Sequence, residues 1–179
     1  PYEIVVVGSN DPDAAGLCLA AAEGVPTFAH SHKGLKRAEF DAIITRELEK
    51  AGVTHIALAG YMRLLSAEFV AHWQGRCLNI HPSLLPKHKG LHTHAAVLAA
   101  GEAETGCTVH IVTPELDDGP ILGQARIAVL PGDTPETLAT RVQYAEHQLY
   151  PRVLADFVSA ADRPTALLER VRGLALNLP

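Results

Sequence analysis

The sequence predicts an α/β fold in which a doubly wound, mostly parallel sheet carries helices on both faces. Apolar runs of strand length, such as residues 4–7 and 56–59, alternate with segments whose apolar residues recur at helical spacing. Glycines and other turn residues separate the two kinds of segment. Strands that alternate with helices in this way are typical of parallel sheets.

Local signals support each element in the first half of the chain. The pair Asp11-Pro12 has the form of an N-cap followed by proline at the first helical position, and Gly24 and Gly52 are predicted helix stops. The predicted elements are a strand at 2–8, a helix at 11–22, a strand at 26–30, a helix at 36–51, a strand at 54–59 and a short helix at 66–72.

The second half continues the pattern. Thr134 is a predicted cap for a long helix that reaches about residue 159 and bends at Pro151. The other predicted elements are a strand at 77–80, a helix at 93–100, and strands at 108–113 and 121–130. We expect residues 1–179 to form a single catalytic domain, and the tail from about residue 160 has only weak helical character.

The bulk composition excludes several classes of function. The net charge of −5, without a basic stripe, argues against nucleic acid as a partner. Every apolar run is too short to span a membrane, and the opening residues have no export signal. Three widely spaced cysteines without a CxxC motif indicate neither a disulfide scaffold nor a thiolate metal site. We therefore expect a cytoplasmic protein.

The segment LNIHPSLLPKHKGLHTH, residues 78–94, holds four of the ten histidines. Side chains alternate along a strand, so Asn79 and His81 share one face of the predicted strand. Pro82 keeps His81 extended, so the alternation persists to the strand end. An amide and an imidazole thus project together at the carboxyl end of a strand, where ligands bind in open α/β sheets.

Two other interpretations of these histidines stay open at this point. His81 could be an ordinary turn residue that makes a single hydrogen bond. Alternatively, His92 and His94 could join His81 or His88 in a metal site. Zinc sites usually show spacing such as HExxH or paired cysteines, and neither occurs here, so we predict no metal.

A second segment, GCTVHIVTPELDDGPIL at residues 106–122, carries Thr108 and His110 on one face of a strand. The strand runs into an acidic loop in which Asp117 and Asp118 could be ordinary turn residues. A carboxylate in this loop could also pair with His81, orient the imidazole and favour its charged form. Spacing alone thus indicates an α/β enzyme with an Asn–His–Asp acid–base site.

Both segments, together with AGYMRLLS at 59–66 and QYAEHQLYP at 143–151, resemble the phosphoribosylglycinamide formyltransferase family of the folate-dependent formyltransferase superfamily. The resemblance extends from about residue 2 to about residue 158, and the GLHTH run looks specific to this branch. It implies the formyltransferase fold. It also implies transfer of a formyl group from the co-substrate 10-formyltetrahydrofolate to the glycine amine of glycinamide ribonucleotide in de novo purine biosynthesis.

The resemblance also implies roles for individual residues. The catalytic set would be Asn79, His81 and Asp117. The folate-binding set would be Arg37, Met62, Arg63, Leu64, Leu65, Asn79, Val112, Thr113 and Asp117. The ribonucleotide side would involve Gln143, Glu146 and His94. From the residues alone, Met62, Leu64 and Leu65 could equally be core, and Arg37, Gln143 and Glu146 could be surface positions.

The resemblance implies small-molecule partners only, no metal, and a monomer or weak homodimer. Formyltetrahydrofolate deformylase is the alternative within the same chemistry, and the GLHTH run speaks against it. A non-catalytic folate- or nucleotide-binding module is the alternative from another class. The family's opening strand, phosphate-binding turn and helix have no counterpart in residues 1–179. We therefore expect this first strand–loop–helix to be missing from residues 1–179, either because these residues are part of a longer protein or because the protein is defective in phosphate binding.

Overall fold

A computed structural model of the chain describes residues 2–161. These residues form two compact units. The N-terminal unit contains residues 2–56 and 61–76, and the C-terminal unit contains residues 57–60 and 77–161. The predicted weak helix beyond residue 161 lies outside the described residues.

The N-terminal unit is built around a small parallel sheet in which β1 (Val7–Ser9) pairs with β2 (Thr27–Ala29). The Ser66 hydroxyl caps α3 (Ala67–His72) by accepting from the Phe69 amide. The buried Asp41 carboxylate on α2 (Arg37–Lys50) accepts from the Ser66 amide at 2.6 Å, which ties the two helices together. The elements of this unit are β1 (Val7–Ser9), α1 (Ala15–Ala22), β2 (Thr27–Ala29), α2 (Arg37–Lys50) and α3 (Ala67–His72).

The first helix begins later than the sequence predicted. Its N-cap is Ala14 rather than Asp11. The Asp11 carboxylate accepts from the Asp13 amide at 3.0 Å, and the Ser9 hydroxyl accepts from the Asp11 amide at 3.0 Å. These side chains stabilise a turn, because short polar side chains compete with the helix for nearby backbone amides.

The C-terminal unit contains most of a four-stranded sheet, in which the strands Ile56–Leu58, Cys77–His81, Glu104–Ile111 and Ile121–Ala128 lie side by side in that order. Its elements are β3 (Ile56–Leu58), whose first residue clusters with the N-terminal unit, β4 (Cys77–His81), α4 (Thr93–Ala99), β5 (Glu104–Ile111), β6 (Ile121–Ala128) and α5 (Pro135–Ala161). The predicted elements are all present, with ends that differ by a few residues.

The two sheets differ in the relative direction of their strands. β1 and β2 are parallel, whereas β4 pairs with β5 and β5 with β6 in the antiparallel sense. β5 and β6 are joined by a loop without a helix, and such a connection suits antiparallel strands. The alternation of helices and strands did not indicate these antiparallel pairs.

Helix α5 covers one face of the larger sheet. Leu78 and Ile80 on β4, together with Cys107 and Val109 on β5, form a buried cluster with apolar residues of α5. The Tyr150 hydroxyl lies 2.9 Å from the carbonyl of Leu58 and 3.2 Å from that of Leu78, linking α5 to two strands. Asn79 and His81 therefore project from the opposite face. Among the helices of residues 2–161, none has the length and apolarity to cross a membrane.

Candidate active site

The register between β4 and β5 assembles the polar face of the larger sheet. Asn79 lies opposite His110, and His81 lies opposite Thr108. Side chains that face each other across antiparallel strands are close enough to interact directly. The amide nitrogen of Asn79 is 3.3 Å from His110 Nε2, so the two segments singled out in the sequence meet here.

The His81 ring is enclosed by oxygen atoms. The residue is only 5% exposed. Its Nε2 is 2.9 Å from the carbonyl oxygen of His88, and its Nδ1 is 3.4 Å from Asp117 Oδ2. A carbonyl only accepts, so Nε2 carries a proton. The other nitrogen faces a carboxylate, so each ring nitrogen of His81 lies against an oxygen atom.

Asp117 is held by a loop with unusual backbone geometry. Its φ is +50°, and its Oδ2 accepts from the Gly90 amide at 2.9 Å. His88, which supplies the carbonyl to His81, also has a positive φ of +54°. Left-handed conformations are uncommon outside glycine and cluster at functional sites. Next to Asp117, the exposed Asp118 pairs with Lys89 and adds a second link between the two loops.

A buried hydroxyl anchors the loop that follows β4. Thr108 donates to the carbonyl of Ser83 at 2.7 Å and accepts from the amide of Leu85 at 3.1 Å. Gln124 on β6 donates to the same hydroxyl at 2.9 Å and to the Leu85 carbonyl at 2.9 Å. These bonds fix the loop whose later residues place the His88 carbonyl against His81.

Two further histidines lie close enough to His81 to be affected by its charge. Burial, and secondly the neighbouring His81, lowers the pKa of His94 on α4. Burial lowers the pKa of His110 as well, and Asp117 only partly opposes this effect. His94 Nδ1 is buried without a hydrogen-bond partner among the described residues. His110 was not among the predicted catalytic residues, although its place on one face with Thr108 was a usable signal.

Five of the residues predicted to bind folate belong to the N-terminal unit. Met62 is 76% exposed and Leu64 is 53% exposed, so these two side chains are not core residues. Leu65 is half-buried, and Arg37 is an exposed residue at the start of α2. The Arg63 guanidinium lies 5.3 Å from the centre of the Phe40 ring.

The other predicted binding residues belong to the C-terminal unit. Val112 and Thr113 are half-buried just after β5. Gln143 is exposed and Glu146 is half-buried on α5, and burial raises the pKa of Glu146. Helix α5 packs on the face opposite to Asn79, and the described contacts do not join Gln143 or Glu146 to the catalytic set.

No group of three or more histidine, cysteine, aspartate or glutamate residues within 2–161 is arranged to hold a metal ion. A cavity of about 230 Å³ lies between the loop after β4 and strands β5 and β6. Its charged groups are already paired with one another, Lys87 with Glu102 and Arg126 with Glu104. Asn79, His81 and Asp117 do not line this cavity. The candidate site is therefore located by the contacts of these three residues and not by the cavity.

Comparison with known proteins agrees with the geometry. Residues 2–154 match the family described as formyl transferase. Phosphoribosylglycinamide formyltransferase of Escherichia coli is 44% identical over 152 residues, which are 84% of this chain and 72% of that protein. The crystal structure of the enzyme from Brucella melitensis is 51% identical with a TM-score of 0.81, over 87% of this chain and 80% of that one. The structure from Coxiella burnetii is 47% identical with a TM-score of 0.83, over 88% and 75%.

Some relatives are much longer. The trifunctional purine biosynthetic protein adenosine-3 of Drosophila pseudoobscura pseudoobscura is 51% identical over 162 residues, and the chain spans 12% of its length. The solved structures have the same fold, which confirms the predicted formyltransferase fold. The chain therefore belongs to the formyl transferase family and, within it, to the phosphoribosylglycinamide formyltransferases.

Proposed function

We propose that this chain transfers a formyl group from 10-formyltetrahydrofolate to the glycine amine of glycinamide ribonucleotide, a step of de novo purine biosynthesis. The observation that carries the proposal is the His81 ring, buried between the Asp117 carboxylate and the His88 carbonyl, with the Asn79 amide beside it on the same strand face. The names of the related proteins support the same reaction.

The reaction requires charge stabilisation more than a protein nucleophile. The substrate amine attacks the formyl carbon, and negative charge develops on the former carbonyl oxygen. The bond from this carbon to the folate nitrogen then breaks, the folate nitrogen gains a proton and the attacking amine loses one. Donors that are already oriented towards such an oxygen lower the barrier by several kcal/mol.

The trio divides these tasks. Asn79 is half-buried and uses one amide N–H towards His110, which leaves its second N–H for the formyl oxygen. His81 contributes a positive charge next to the same oxygen, and Asp117 holds that charge in place. Through a bound water, Asp117 also accepts the proton that the attacking amine loses. Because the Nε2–H of His81 donates to the His88 carbonyl oxygen, direct donation from this N–H to substrate requires that carbonyl to move.

The wider proposal covers the whole of residues 1–179 as a single catalytic domain. Folate would be bound by Arg37, Met62, Arg63, Leu64, Leu65, Val112 and Thr113, together with Asn79 and Asp117. The ribonucleotide would be bound by Gln143, Glu146 and His94. We also propose that no metal takes part, that the ligands are small molecules, that the protein is a monomer or weak homodimer, and that it acts in the cytoplasm.

The test is an assay of the purified protein with both substrates. His81→Ala is expected to lower kcat by about 10²–10⁴-fold with little change in folate affinity. The matched control is His72→Ala, an exposed histidine on α3 that pairs with Glu49, which should leave kcat unchanged. Formate released from the folate without ribonucleotide would indicate a deformylase instead. Near-normal turnover in His81→Ala would remove His81 from the mechanism.

A further inference from the structure

His110 is a buried histidine between three groups of the candidate site. It is 3% exposed. Its Nδ1 lies 3.1 Å from the carbonyl oxygen of Ile111. Its Nε2 lies 3.3 Å from the amide nitrogen of Asn79 and 3.7 Å from Asp117 Oδ1. The mechanism described above assigns this residue no task.

The contacts of His110 determine where its proton sits. A backbone carbonyl can only accept, so the nitrogen that faces Ile111 must carry the proton. A neutral imidazole carries one proton, which leaves Nε2 with a free lone pair. This lone pair accepts from the Asn79 amide nitrogen, which is the neighbour at hydrogen-bond distance.

The same contact fixes the orientation of Asn79. A side-chain amide can turn by half a rotation and exchange its oxygen and nitrogen, and only the hydrogen-bond partners decide between the two states. A lone pair on His110 Nε2 selects the state in which the NH2 group lies over it. One N–H is then used, and the second N–H of this half-buried residue remains available.

We infer that His110 is a positioning residue for formyl transfer, which sets the Asn79 amide with its N–H towards the formyl oxygen. This inference rests on the proposed function, because it needs Asn79 to act on the formyl group. His110 itself is buried, and the inference assigns it no contact with substrate. If the side-chain amide of Asn79 were turned by half a rotation, it would present its oxygen to the developing negative charge and raise the barrier.

The surroundings keep His110 in the neutral form that this task needs. Burial lowers the pKa of His110, and the nearby His81 lowers it further, whereas the Ile111 carbonyl and Asp117 oppose the shift. A protonated His110 would place an N–H against the Asn79 amide nitrogen. Asp117 Oδ1, at 3.7 Å, would become its better partner, and the amide would be released.

Two conservative substitutions distinguish the role of the Nε2 acceptor from the role of the rest of the His110 ring. His110→Gln keeps an acceptor oxygen near the position of Nε2, and His110→Asn keeps a donor near Nδ1 but removes the acceptor. We expect His110→Asn to lower kcat by about 10–100-fold, with KM for both substrates changed by less than about threefold. His110→Gln should recover most of the lost kcat.

The same substitution in an Asn79→Ala background tests whether His110 acts through Asn79. Residues that act as one unit are non-additive, so His110→Asn should then lower kcat by less than about threefold. A full additional loss there would overturn the inference, and so would equal kcat in His110→Asn and wild type. If His110 had only a structural role, His110→Asn would lower kcat by the same factor in wild type and in Asn79→Ala.

A measurement that does not depend on turnover completes the test. Nitrogen NMR of the 15N-labelled histidines in the wild-type protein should place the His110 proton on Nδ1 and leave Nε2 bare. A proton on Nε2 overturns the inference even if every variant behaves as expected. If the wild type transfers no formyl group, the proposed function fails, and the NMR result still shows whether the hydrogen bond exists as described.

Discussion

Replacement of Asp117 by asparagine isolates the effect of one negative charge. The variant keeps the size of the side chain, and its oxygen can still accept from the Gly90 amide. Asparagine tolerates the left-handed backbone of this position, where φ is +50°. What the variant loses is the charge beside His81.

The distance sets the magnitude. The carboxylate oxygen lies 3.4 Å from His81 Nδ1, and both side chains are less than a tenth exposed. With an effective dielectric constant of about 20, the attraction between opposite unit charges at that distance is about 5 kcal/mol. Desolvation of the pair offsets part of it. We therefore expect about 3–4 kcal/mol of lost transition-state stabilisation, or about 10²–10³-fold in kcat.

The assay follows formylated ribonucleotide under saturating substrates, with the free energy of unfolding measured on the same samples. Asp118→Asn is the matched control, because Asp118 is the adjacent carboxylate, more than half exposed and paired with Lys89 at the surface. It should stay within about twofold of wild type, since exposed pairs contribute about 0–1 kcal/mol. A kcat for Asp117→Asn within about threefold of wild type, or an equal loss in Asp118→Asn, would refute the charge argument.

Three other outcomes are expected. Thr108→Val, which leaves the loop carbonyl and amide bonded to Thr108 unsatisfied, should lower the free energy of unfolding by about 1–3 kcal/mol in urea titrations. Gly119→Ala should cost about 1–3 kcal/mol or more, because a β-carbon there would lie 1.7 Å from the Ile111 carbonyl oxygen. Gly16 lies in α1 with open space around a β-carbon, so Gly16→Ala should instead raise the free energy of unfolding. Equal effects of the two glycine substitutions would contradict the clash proposed at Gly119. The pKa of His110 is lower in the folded than in the unfolded protein. The contribution of neutral His110 to the free energy of unfolding is therefore complete above about pH 6.5, and it is lost as the pH falls through the pKa of the folded protein. The melting temperature of wild type should therefore fall more steeply on acidification than that of His110→Gln. Parallel plots of melting temperature against pH for the two proteins would contradict this prediction.

Local sequence was sufficient to predict that Asn79 and His81 of the candidate site share one face of a strand. Alternation along β4 put Asn79 and His81 together, and the structure places them on the face opposite to α5. The helix stop at Gly52 was predicted in the same way, because glycine tolerates the φ of +73° found there. These features depend on residues only a few positions apart.

Long-range features of the site were beyond such reasoning. The contact between Asn79 and His110 depends on the antiparallel register of β4 and β5, which neither segment encodes alone. The His88 carbonyl reaches His81 because the intervening loop is anchored by Thr108 from another strand. Loop conformations of this kind are set by tertiary hydrogen bonds, so sequence spacing gave the residues but not their contacts.

The two central histidines have closely similar surroundings, and a single amide distinguishes them. Each ring has one nitrogen against a backbone carbonyl and the other towards Asp117, at 3.4 Å for His81 and 3.7 Å for His110. Two buried imidazolium ions this close would repel each other, so one ring has to stay neutral. Asn79 makes the difference, because its N–H already occupies the lone pair of His110. In the proposed mechanism the amide also donates to the reacting oxygen, so loss of the Asn79 side chain removes both that donor and the hydrogen bond that distinguishes the two rings.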